Sequence, residues 1–222
     1  MKLKIVKKNV KNINIKVKPS GEVVVTAPRS VSQKELEYVL QKRKGWIEQK
    51  VAFFKAHQPP QPKEYVSGEN FCYLGRNYRL KVIESDEELV KLQRGYLQVF
   101  VKHREDYEQK RQLLYAWYYQ KAIFHFGKAM AKYQPLVNQE VKRVRIREMK
   151  TRWGSCNTLK GYINLNLKLI EKPTECIEYV VLHELAHLVH PNHSVRFYNY
   201  VTLFMPNWRE RKRRLERRED GI

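Results

Sequence analysis

One run of the chain limits its possible folds more than any other: His183-Glu184-Leu185-Ala186-His187, with a further histidine at His193. Two histidines four positions apart aim at one point only if the segment is helical, because four residues make about one turn. The third joins them only if the chain turns back after the helix, and Pro191-Asn192 offers such a turn. The fold must therefore supply a helix, a return, and apolar structure behind the helix. Ile177, Val181, Leu185 and Leu188 line the face that would meet that structure.

The residue types in this run point to one kind of chemistry. Imidazole nitrogen suits zinc, and three ligands leave one tetrahedral position for water. Zinc lowers the pKa of that water toward neutrality. Glu184 adjoins His183 and can act as the general base, taking the proton of water and passing it to a leaving amine. The expected cofactor is thus Zn2+ on His183, His187 and His193, with Glu184 as the catalytic residue and a peptide or protein as substrate. Four of the seven histidines fall in this stretch. Two other residues compete for the third ligand position. His190 lies on the His183 side of the helix but at its end. Glu210 is where a thermolysin-like enzyme would place a carboxylate ligand. The competing structural readings are a surface helix with solvated histidines, and a purely structural metal site that would leave Glu184 without a role.

Around this helix the chain reads as mixed α and β. Ile13–Val17 and Glu22–Thr26, separated by Pro19-Ser20-Gly21, form a predicted hairpin. Ser32 with Glu35 fits a capping box, followed by one helix carrying Leu36, Val39, Leu40, Ile47, Val51 and Phe54. Pro59-Pro60-Gln61-Pro62 is a stiff connector. Tyr73–Ile83 and Tyr96–Lys102 are predicted strands, with a turn offered by Gly75-Arg76-Asn77. Arg104–Tyr133, with one Gly and no Pro, predicts a long helix. Val144 and Ile146 mark a half-buried strand, and Ile163, Leu165, Leu167 and Leu169 mark the clearest one. Thr174 is the expected N-cap of the histidine helix, which is read as the last helix and ends near Val189 because Pro191 restricts the residue before it. The domains expected are 1–103, an N-terminal α+β region, and 104–222, carrying the histidine run and a basic tail.

Arg152-Trp153-Gly154-Ser155-Cys156, Ile163-Asn164-Leu165-Asn166, His183-Glu184-Leu185-Ala186-His187 and Asn192-His193-Ser194 together resemble the YgjP-like family of zinc metallopeptidases. Gly45-Trp46-Ile47 and Tyr73-Leu74-Gly75-Arg76 extend the likeness over most of the chain. That family is similar to SprT-type and WLM-type proteases, some of which act on DNA-bound proteins. The resemblance implies an α+β fold with a zincin-like catalytic domain: a long backing helix, a small β-sheet and the HExxH helix. A smaller β-rich N-terminal region with one helix would precede it. It also implies His183, His187 and His193 as ligands and Glu184 as base. Position 190 is His where the metzincin pattern has Gly, which argues against a true metzincin turn.

Arg152, Trp153, Gly154 and Ser155 join two predicted strands just before the histidine helix. They are candidates for substrate binding, since substrate backbone commonly adds to an exposed strand edge; the alternative is a buried Trp and a tight turn. Tyr198 is the oxyanion candidate, with Arg196 and His190 as further choices. Cys156 reads as a small buried apolar residue, and Met205-Pro206 invites comparison with a Met-turn or is simple core.

The formal charge is +21, with seven Arg or Lys among residues 209–218. Such a tail favours polyanions, so nucleic acid is a possible partner. The alternative function is a basic nucleic-acid-binding protein with a structural or vestigial zinc site. No apolar run has the length of a membrane span. The N-terminus lacks a signal-peptide pattern, and three scattered cysteines argue against a disulfide framework or a cysteine-built zinc site. A glycan on the acceptor Asn192-His193-Ser194 would obstruct the chemistry, so the expected location is the cytoplasm.

Overall fold

The computed structural model describes residues 3–18, 20–56 and 62–216. Contacts divide the chain into two units, residues 1–62 and 63–222. The sequence reading places the division at 103 instead. The difference lies in strands 70–101, which share an apolar core with the long helix that follows them.

In the first unit, β1 (Leu3–Lys8), β2 (Asn14–Val17) and β3 (Val23–Pro28) form a sheet of order β1-β3-β2. The expected hairpin is β2–β3, antiparallel with Val17 opposite Val23. β1 is not among the strands expected from the sequence; it pairs parallel with β3. Ser32 accepts from the Glu35 N–H and the Glu35 side chain accepts from the Ser32 N–H, a complete capping box. The single expected helix is two, α1 (Gln33–Lys42) and α2 (Lys44–Ala56). Arg43, at φ −101° and ψ 3°, leaves helical geometry between them. Leu36 and Ile47, one on each helix, are buried together against Val23 and Val25. The expected connector at Pro59-Pro60-Gln61 lies outside the described residues, as does the side chain of Phe54.

In the second unit, β4 (Asn70–Tyr73), β5 (Arg76–Glu84), β6 (Leu89–Gln93) and β7 (Tyr96–Val101) form a sheet of order β4-β5-β7-β6. Two expected strands are thus four. The first break falls at Leu74-Gly75, one residue earlier than the turn read from the sequence. Both residues have positive φ, the geometry of a tight two-residue hairpin. A Cβ on Gly75 would lie 2.5 Å from Pro173, so glycine is required there twice over. Backbone N–H groups of Leu74 and Gly75 donate to the carbonyls of Ile170 and Glu171. That pins the hairpin tip to the segment that leads into the histidine helix.

The long helix is α3 (Tyr107–Tyr133), capped by the Asp106 side chain. Strands β8 (Arg143–Arg147), β9 (Gly154–Asn157) and β10 (Tyr162–Asn166) form a sheet of order β8-β10-β9. Gly154–Cys156, read as a connection between strands, is itself an edge strand. The clearest predicted strand ends early: Leu167 and Leu169 belong to a 3-10 turn over Leu167–Glu171, because the Asn166 side chain caps it by accepting from the Lys168 N–H. Then follow α4 (Thr174–Val189), α5 (Val195–Phe204) and α6 (Trp208–Glu216). The histidine helix is α4. Its N-cap is Pro173, not Thr174, and no side chain caps it. It is not the last helix. The described part of the basic tail belongs to α6, with Trp208 and Leu215 buried in the core that also holds Ile177, Val181 and Leu185 of α4.

Candidate metal centre

The second half of α4 sits in the densest part of the core. Val181, Leu182, Leu185 and Ala186 are wholly buried, which fixes the rotation of the helix and turns His183 and His187 to its other side. After the helix the chain reverses through residues 191–193, and Ser194 caps α5 by accepting from the Phe197 N–H. This return brings His193 over the first two. One ring nitrogen from each of His183, His187 and His193 lies within 4.8 Å of the others, the one such His, Cys, Asp or Glu group of three or more among the described residues. The Nε2 atoms of His183 and His193 are 3.0 Å apart.

Phe197 supports all three. Its ring centroid lies 4.9 Å from that of His183, 4.7 Å from His187 and 5.0 Å from His193, and it has no exposed surface. Sequence reasoning missed it, although its place four residues after His193, on a helix that follows a return, could have suggested it. A second support is an aromatic stack. Tyr198 lies over His193 at 22° between ring planes, Trp208 over Tyr198 at 14°, and Tyr179 over Trp208 at 10°.

The electrostatics suit a cation. Burial pushes the His183 imidazole down to about 3, and His187 and His193 add to the shift, so it is a neutral donor at ordinary pH. Burial also lowers His187, against a hydrogen bond between its Nδ1 and the His190 carbonyl at 3.3 Å. That bond leaves Nε2 of His187 for the cluster. Bonds of about 2.0–2.1 Å would put two ligands of one tetrahedral ion roughly 3.3 Å apart, close to the observed approach of the two Nε2 atoms. The donor set therefore fits a small, imidazole-seeking metal ion.

Glu184 lies beside this cluster but outside it. It is 6% exposed and has no hydrogen-bond partner among the described residues. Burial raises its carboxyl to about 8, and Arg152 draws it back. The carboxyl packs on Gly154 of β9: a Cβ there would stand 2.6 Å from Glu184 Oε1. Gly154 is thus glycine to make room for Glu184, a pairing thirty residues apart that the sequence did not offer.

The model of the YgjP-like metallopeptidase domain matches residues 11–218. The chain belongs to the YgjP-like family. Two solved structures similar to this YgjP-like protein are metallopeptidase zymogens. One is abylysin of Pyrococcus abyssi, at 24% identity over 40% of this chain and 90% of that one, with a TM-score of 0.38. The other is jannalysin of Methanocaldococcus jannaschii, at 20% identity over 43% and 87%, with a TM-score of 0.35. No curated protein matches the chain significantly.

The remaining sequence candidates of the YgjP-like chain fall as follows. His190 caps α4 and its ring meets Tyr200; it is not in the donor cluster. Glu210 is exposed on α6 and is also outside it. Arg152, Trp153, Gly154 and Ser155 lead into and begin edge strand β9. They are held by Asn166, which sequence reasoning missed. Its Nδ2 donates to the carbonyls of Met149 and Arg152, both at 2.8 Å, and its backbone N–H donates to that of Trp153. Its Oδ1 accepts from the N–H groups of Met149 and Lys168, so this buried amide is fully satisfied. Ser155 Oγ accepts from Asn164. Burial raises the Cys156 thiol to about 11, which keeps it an unreactive thiol. Met205 is buried in the main core and Arg196 is exposed.

The described part of the basic tail is helical and partly ion-paired. Arg211 donates to Glu178 at 2.7 Å and to the Glu175 carbonyl, Arg214 pairs with Glu175, and Lys212 with Glu216 at 3.8 Å. Two of the tail's cations, Arg211 and Arg214, thus hold α6 to α4. No helix among the described residues is long and apolar enough to cross a membrane.

Proposed function

We propose that the chain is a zinc-dependent peptidase of zincin-like architecture, with zinc held by His183, His187 and His193 and Glu184 as general base. The observation that carries this reading is the convergence of three ring nitrogens beside a buried, unpartnered carboxyl. When bound, zinc would supply Lewis acidity and lower the pKa of a water. The chain's own residues do the rest. Glu184 takes the proton of the attacking water and returns it to the amine of the departing peptide. Burial holds its carboxyl near the operating pH, where it can both accept and release a proton. Phe197 and the Tyr198–Trp208 stack hold the imidazoles in place. Arg152, Trp153, Gly154 and Ser155 offer an extended substrate the open edge of β9, in register with Glu184 through Gly154. Tyr198, stacked on His193, is the candidate to steady the developing oxyanion.

Metal analysis of variants tests the division of labour. Purified protein should carry about one zinc per chain, and Glu184→Gln should keep it. His193→Ala should lose most of it, as removal of one of three protein ligands predicts. Equal zinc in the two variants would overturn the assignment of His193.

A further inference from the structure

The sheet that carries β9 has a second edge. β9 meets Glu184; β8, on the far side of β10, has no strand partner on its outer side among the described residues. Between β8 and α3 lies an open groove of about 510 Å³, with Tyr119, Ile123, Phe126, Met130, Val144 and Ile146 forming its apolar wall. Ile123 is 47% exposed and Val144 40%. Arg143, Arg145 and Arg147 alternate with Val144 and Ile146 along β8. All three are exposed, and no carboxylate among the described residues pairs with any of them. The arginines Arg211 and Arg214 of α6 are, by contrast, paired.

The period of a strand sorts these side chains. Val144 and Ile146 pair with the buried Ile163 and Leu165 of β10 and share their face. The three arginines lie on the opposite face. An incoming strand outside β8 would meet the same alternation, apolar toward α3 and acidic toward the arginines.

We propose that β8 and α3 form a docking groove for an extended acidic segment of a partner protein, which adds as a fourth strand outside β8. Its backbone completes the open edge, its apolar side chains cover Val144, Ile146 and Ile123, and its carboxylates face Arg143, Arg145 and Arg147. A nucleic acid would satisfy the arginines but leave both the strand edge and the apolar wall unused. The proposal concerns binding at the edge away from Glu184, so it stands whether or not the chain hydrolyses peptides.

Fluorescence anisotropy with the full chain tests it. The probe is a labelled nonapeptide of alternating Glu and Val. Saturable binding is expected, and its dependence on the arginines of β8, at the edge away from β9, separates it from substrate binding in the peptidase reading. Replacing each Glu of the peptide by Lys, or N-methylating its central amides, should abolish binding while the protein is untouched. The triple variant R143E/R145E/R147E should weaken it by about tenfold or more. Absence of saturable binding would overturn the proposal. So would binding indifferent to N-methylation, or a single-stranded oligonucleotide bound at least as tightly with the same arginine dependence.

Discussion

The two halves of α4 treat a glutamate in opposite ways. Glu178, in the first half, accepts from Lys132 of α3 at 2.7 Å, from Tyr133 at 3.2 Å and from Arg211 of α6 at 2.7 Å. Burial pushes its carboxyl up, but the hydrogen bonds from Lys132 and Arg211 outweigh burial and leave it below the ordinary value. Glu184, six residues later, is more deeply buried, has no such partner, and is raised to about 8. One carboxylate is saturated with cations and ties three helices together. The other is kept buried beside three histidines with no cation among the described residues bound to it. The difference shows that burial alone does not assign a role; the partners do.

The largest effect should follow from Glu184→Gln, which keeps size and removes the base. Peptide hydrolysis should fall by ~10²–10⁴-fold with zinc retained. A mixed peptide library read by mass spectrometry can measure it, and undiminished cleavage would end the proposed role. Gly154→Ala comes next. Its Cβ would press on Oε1, Cγ and Cδ of Glu184 at 2.6–2.8 Å, all in the side chain and none in a ligand. Displacing the carboxyl by about an ångström should cost roughly 10²-fold in kcat, again with zinc unchanged. Normal kcat in that variant would mean that the position of Glu184 is not critical.

The smallest effect belongs to the other half of the helix. Glu178→Gln should lower stability by about 1 kcal/mol, seen as a Tm lower by roughly 2–4 °C, with activity per folded molecule intact. The pH dependence follows from the depressed carboxyl. Its contribution is full above the unfolded value of 4.5 and is lost as pH falls through the lower folded value. Thermal melts of parent and variant should therefore converge at acid pH. If the melts converged only at high pH, the pairing of Glu178 with Lys132 and Arg211 would be misassigned.

The same contrast separates what was legible in the sequence from what was not. The α4 helix, its apolar face and the return to His193 are local, and spacing shows them. The capping box of Ser32 and the β2–β3 hairpin are local too. The partners of the two glutamates are not. Arg211 lies 33 residues after Glu178, so residues 209–218 read only as a charged tail until Glu178 and Glu175 of α4 account for two of the cations, Arg211 and Arg214. Gly154 and Glu184 meet only when β9 lies against α4. Leu167 and Leu169 keep strand alternation, yet Asn166 turns the backbone by capping a 3-10 turn, a tertiary use of a side chain that periodicity does not carry. In β1, alternating Lys and apolar residues fit either a charged surface or a strand, and the partner β3 decides.

The most direct test of the central claim is an anomalous difference map from crystals of the zinc-loaded protein, collected on both sides of the zinc edge. One peak is expected, within about 2.0–2.1 Å of one ring nitrogen each of His183, His187 and His193, with Glu184 close by but not bonded to the metal. A peak held by His190, Glu210 or Glu184 in place of one of the three, or no peak at the cluster, would contradict it.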